Sequence, residues 1–135
     1  MNTVSYSDVQ QSYGRCRREG DFAERFYERF LQADPRVAEV FANTDWTRQK
    51  RALGQAISAA LSYAEGETFM RSTLERMAQV HSRRGSVPIE PALYGLWLNC
   101  MVRTASETDP KWTDELASRW YGALSPAIDL FIEHY

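Results

Sequence analysis

Apolar residues recur at intervals of three and four along most of the chain, and alternating runs of Val, Ile and Thr are missing, so the pattern predicts an all-α fold. Val9, Tyr13 and Cys16 make one short stripe, closed by Gly20. Phe22, Phe26, Phe30 and Leu31 make a second, with Asp21 as its expected cap. Asp34-Pro35 reads as a cap followed by a first-turn proline that opens a short helical piece through Val40. A polar corner, Ala42-Asn43-Thr44-Asp45, comes next. A long helix is predicted from about residue 45 or 47 to 65, with Gln49, Leu53, Ile57, Ala60 and Leu61 inward and Gly66 as its stop. A glutamine heading an apolar stripe is out of keeping with plain core packing.

The following helix is predicted over residues 67–84, where Phe69, Thr73, Met77 and His81 stand at four-residue spacing beside Leu74 and Ala78, and Gly85 ends it. Residues 86–91 read as a turn, with Pro91 suited to a first helical turn. Leu93, Trp97, Cys100, Met101 and Thr104 then share a face, and Thr108-Asp109-Pro110 breaks the chain. The last helix is predicted over residues 113–132, with Leu116, Trp120, Leu124, Ala127 and Phe131 inward and a kink at Pro126. No repeat or linker interrupts the pattern. A chain of 135 residues with 44% hydrophobic content has the makings of one core, so residues 1–135 are read as a single domain.

Charge narrows the partners. A net charge of -2 and a pI near 5.7 argue against nucleic acid. The cluster Arg15, Arg17, Arg18 is followed at once by Glu19 and Asp21 and reads as a solvated helix face. The longest nonpolar run, residues 92–98, falls far short of the ~20 residues a membrane span needs. Residues 1–5 show no basic segment leading into an apolar one, so no export signal is expected and the cytoplasm is the default location. Cys16 and Cys100 lack a CxxC partner, which disfavours a zinc site and covalent attachment of a cofactor; both read as small buried apolar residues.

Candidate chemistry centres on His81. Neutral imidazole is a good ligand for iron, and a single histidine holds oxygen-binding hemes from one side. Met77 one turn earlier, with Leu74 and Ala78, supplies apolar walls for such a group. On spacing alone a helical histidine is more often an ordinary core residue, and His134 is read that way. The order of residues upstream makes the difference: Tyr27, Pro35, Phe41, Gln49, Leu53 and then His81. In that order the chain resembles the globin family from about Tyr13 to Phe131, and most closely the bacterial single-domain globins and the heme domain of flavohemoglobins.

The resemblance implies a three-on-three helical sandwich with a short corner between the third and distal helices. It implies noncovalent heme b (iron protoporphyrin IX), with His81 as the metal ligand and Phe41, Leu53, Met77, Val87, Tyr94 and Trp97 around the cofactor. Phe41 would lie flat against the porphyrin. Tyr27, Gln49 and Leu53 would form the gas-binding side, where a phenol and an amide donate hydrogen bonds to dioxygen. Reversible binding of dioxygen, carbon monoxide and nitric oxide follows, with oxygen transport as the expected role. The alternatives are nitric oxide dioxygenation with a separate reductase, gas sensing through a partner, and a helical interaction domain without heme. Arg48, Arg51 and Arg84 are either partners of the heme propionates or solvated side chains. The flavohemoglobin lineage places a tyrosine early in the helix after the proximal histidine and a glutamate near the C-terminus. Here Pro91 stands in the tyrosine's place and Glu133 is offset, so strong polarisation of His81 is not expected, and neither are flavin or nicotinamide domains.

Overall fold

The predicted stripes wind into helices, except that Phe69 and His81 flank the helix expected to contain them. The computed structural model describes residues 5–135, so the reading of Met1 to Val4 as part of a segment without an export signal lies outside the described residues. In chain order the helices are α1 (Ser7–Arg18), α2 (Phe22–Ala33), α3 (Pro35–Val40), α4 (Trp46–Ala64), α5 (Met70–Val80), α6 (Pro91–Thr108) and α7 (Asp114–Glu133). Gly20 follows α1 and Gly66 follows α4 with φ of 88° and 94°, a left-handed conformation in which a side chain would be strained. Asp34 caps α3 by accepting the Arg36 N–H at 2.8 Å, and Asp45 caps α4 by accepting the Arg48 N–H at 3.2 Å. Pro35 and Pro91 occupy first turns, where no N–H is missed. The corner between α3 and α4 is only residues 41–45.

The helices stack in two layers. α1, α4 and α5 lie on one side and α2, α6 and α7 on the other, with α4 and α5 packed across the layers onto α7 and α1 packed onto α6 and α7. Fully buried Phe26, Ile57, Leu74, Met101, Trp120 and Leu124 form the centre of the core. Burying each such side chain is worth about 1.5–3 kcal/mol, and together these offset the entropy of ordering the helices. Cys16 and Cys100 are free and buried, as expected. Among the described residues no helix is long and apolar enough to cross a membrane.

Several local expectations are corrected. The helix expected over residues 67–84 is α5, which starts only at Met70 and stops at Val80. His81 is therefore the C-cap of α5 and not a mid-helix residue, with φ -94° and ψ 2°. The chain doubles back here and takes the carbonyls that helix propagation would need: Val87 N–H donates to Val80 O at 3.0 Å and Ile89 N–H to His81 O at 3.0 Å. The return is so close that a Cβ on Gly85 would lie 2.2 Å from the carbonyl oxygens of Gln79 and Val80. Phe69, expected inward, is 69% exposed ahead of α5. Asp21 does not cap α2 with its side chain and instead pairs with Arg25 at 3.0 Å. Pro126 lies inside α7, as expected.

Arg15 also departs from expectation. It leaves the solvated face and forks onto the buried carboxylate of Asp109, at 2.6 and 2.9 Å. Ser12 Oγ donates to the same carboxylate at 2.6 Å, and Trp120 Nε1 donates to Ser12 Oγ at 3.1 Å. This network ties α1 to the break between α6 and α7. Burial would raise the Asp109 pKa, but the bonds from Arg15, Ser12 and the Lys111 N–H outweigh it and hold the carboxyl below its ordinary value.

Candidate functional site

A cavity of about 360 Å³ opens between the two layers, within the range typical of small-molecule sites. Tyr27, Phe41, Gln49, Leu53, Met77, His81, Val87, Tyr94 and Trp97 all line it, although they come from α2, the α3–α4 corner, α4, α5, the following turn and α6.

At one wall stands Tyr27, 4% exposed and gripped edge-on by the rings of Phe26, Phe41 and Trp46 at 5.0, 5.6 and 5.0 Å between centroids. Gln49, one turn into α4, donates its side-chain N–H to the Tyr27 hydroxyl at 2.9 Å. That bond accounts for a polar residue in line with an apolar stripe. Burial pushes the Tyr27 pKa up to about 12, against the opposing pull of the Gln49 bond. The group therefore stays a phenol, with its own proton still to donate.

At another wall stands His81. Its Nδ1 lies 3.1 Å from the Val87 carbonyl oxygen, and since a carbonyl only accepts, Nδ1 carries the hydrogen. The lone pair is on Nε2. Burial lowers the His81 pKa, against the opposing effect of the Val87 bond, and so favours the neutral ring, the form that ligates metals. The Phe131 ring sits 6.0 Å from the His81 ring and 5.8 Å from that of Tyr94.

Tyr94 is 7% exposed and lines the cavity from α6. Burial alone raises its pKa. The phenol of α6 that faces the cavity is thus Tyr94, three residues after Pro91. Val80 and Val87 line the cavity while remaining 42% and 38% exposed, so they form its apolar mouth.

A larger groove of about 830 Å³ lies beyond Leu53 and Met77, but its walls carry Arg17, Glu24, Lys50 and Arg51 and no imidazole. The smaller cavity is where the chemistry-bearing groups meet. Arg48, Arg51 and Arg84 are exposed and line no part of it. His134 donates Nδ1–H to Leu130 O at 2.8 Å, away from the cavity wall. Sequence reasoning missed Phe30, Ile89, Leu124 and Phe131 as cavity residues. Phe131 and Leu124 were legible as inward positions of α7, but helical spacing does not distinguish a cavity wall from filled core.

No family model matches the chain, and no curated protein matches it. A solved structure does match: a protein of Pseudomonas aeruginosa PAO1 described as structurally highly homologous to a human hemoglobin, 32% identical, aligned over 98% of each chain with a TM-score of 0.92. The chain belongs to the globin family. The two layers of this globin are the expected three-on-three sandwich, and its short corner between α3 and α4 leaves no room for a helix there. In this globin α4 supplies the Gln49 side of the cavity and the end of α5 supplies His81.

Proposed function

We propose that this globin binds one noncovalent heme b through His81 and uses the Tyr27–Gln49 wall to hold dioxygen and other diatomic gases reversibly. On this reading it is an oxygen-binding or oxygen-transport protein, working in the cytoplasm as one unit over residues 1–135. The observation that carries it is one cavity lined both by His81, whose Nδ1 is taken by Val87 and whose lone pair is on Nε2, and by Tyr27, a buried phenol whose proton is unspent.

The donor set fits a porphyrin. Among the described residues no cluster of His, Cys, Asp and Glu could hold a bare metal ion, and a lone imidazole suits an iron whose other donors come from a ring. When bound, the heme would supply the iron that takes up the gas. His81 would hold that iron, and its Nδ1–H bond to Val87 O fixes both tautomer and ring orientation. Phe41, Leu53, Met77 and Trp97 offer apolar walls that exclude water. The partly exposed Val80 and Val87 would gain apolar cover. Tyr27 would donate its hydroxyl proton to the gas, and Gln49 holds the phenol in place.

Titrating the purified chain with hemin tests the proposal. Binding should saturate at one heme per chain, give distinct oxidised and reduced absorption spectra, and be reversed by acid–acetone extraction. A chain that takes no heme would sink the reading. Nitric oxide dioxygenation with a separate reductase, and gas sensing through a partner, use the same pocket and differ in what the protein is coupled to.

A further inference from the structure

We infer that the end of α7 is a clasp on the turn that carries His81, and that Arg83 and Tyr135 are positioning residues for the axial imidazole. This deepens the heme-binding reading and rests on it. Since α5 ends at Val80, His81 has no helix beyond it to hold its backbone. Its ring direction depends on the Val87 carbonyl, and Val87 sits in an exposed turn. What steadies that turn comes from the far end of the chain. Arg83 N–H donates to the Tyr135 carbonyl at 3.1 Å, and the Arg83 guanidinium lies over the Tyr135 ring, 5.2 Å from its centroid. One turn earlier on α7, Phe131 packs its ring on that of His81. His134 Nε2 lies 3.5 Å from Glu75 Oε2 of α5, a pair that attracts when the imidazole is protonated.

These contacts bracket His81 on both sides. Phe131 limits rotation of the ring, and the Arg83–Tyr135 pair limits displacement of the turn whose carbonyl orients it. Loosening the pair should let the Val87 carbonyl move and weaken the hold on Nδ1–H, which changes the direction and strength of an axial bond from Nε2.

Four variants test the clasp: Arg83→Ala and Tyr135→Ala, which remove the guanidinium–ring contact and keep the backbone bond; Tyr135→Phe, which keeps both; and deletion of Tyr135, which removes both. Amide hydrogen exchange over residues 82–89 is read on the heme-free chain. Transfer of heme to apomyoglobin and the iron–imidazole stretching frequency are read on the loaded chain. Arg83→Ala, Tyr135→Ala and the Tyr135 deletion should speed exchange and heme transfer by about tenfold or more and shift the stretch, with Tyr135→Phe at the wild-type values. Unchanged exchange in both alanine variants and in the Tyr135 deletion overturns the clasp. Faster exchange with an unmoved stretch overturns the positioning role and leaves a merely structural one. If the wild-type chain takes no heme, the functional reading falls, and the exchange measurements still decide whether the clasp exists.

Discussion

Gln49 donates to the phenol oxygen of Tyr27 at 2.9 Å, so the distal pair is built from two helices, with the amide of α4 steadying the hydroxyl of α2. The phenol accepts one bond and keeps its proton for a ligand. Gln49 then acts through Tyr27 rather than beside it.

Tyr27→Phe should therefore speed dioxygen release about tenfold, the loss of one bond of ~1.4 kcal/mol, and change carbon monoxide release much less. Gln49→Leu should shift dioxygen release in the same direction, and the double variant should release no faster than Tyr27→Phe alone. Stopped-flow displacement measures all three. Additive effects would mean that the two side chains act independently; equal effects on both gases would point to sterics.

Replacing His81 with Ala should abolish or strongly weaken heme retention, because it removes the cavity's imidazole. His134→Ala should retain heme, since His134 serves the α7 backbone and Glu75. Heme content after gel filtration distinguishes them, and the reverse order would refute the assignment.

Acid should weaken the link between α1 and the α6–α7 break. The Asp109 pKa is lowered in the folded protein, so its contribution to stability is complete above the ordinary value of 3.8 and is lost as the pH falls below it through the folded value. Asp109→Ala, which strands Arg15 and Ser12, should cost about 3 kcal/mol at neutral pH and flatten this part of the acid profile. Urea unfolding between pH 2 and 7 reads both effects.

Two glycines should respond oppositely to alanine. At Gly85 the new methyl would meet the carbonyls of Gln79 and Val80 at 2.2 Å, so the turn after His81 must shift, at a cost of about 2 kcal/mol or more. At Gly14, inside α1 with nothing within 4 Å, alanine should add about 0.5–1 kcal/mol. Thermal melts of the two variants, in the heme-free chain, give the comparison.

Turnover separates carrier from enzyme. The oxygenated protein should consume nitric oxide rapidly once, and continued nitrate formation should require an added electron donor. Nitrate counted over many turnovers with a cellular reductase, set against autoxidation, measures this. If no reductase supports cycling while the oxygenated form persists for hours, oxygen binding or sensing is the role.

The pattern of the chain determined helix number and order, because an amphipathic stripe of Val9, Tyr13 and Cys16 or of Leu53, Ile57 and Leu61 has one period that buries it. It also determined stops and starts where the signal is chemical and local, as at Gly20, Gly66, Asp34 and Pro91. The order Tyr27, Phe41, Gln49, Leu53, His81 was enough to nominate a pocket. Only the tertiary structure decided that α5 ends at Val80, because that depends on Val87 and Ile89 returning to compete for its carbonyls, a nonhelical pairing no periodicity encodes. It alone showed that Gln49 meets Tyr27 and that Arg15 abandons solvent for Asp109, since the two members of each pair are far apart along the chain. It alone brought Phe131 onto His81: side-chain spacing says which face of a helix turns inward, whereas the layer packing chooses what that face meets.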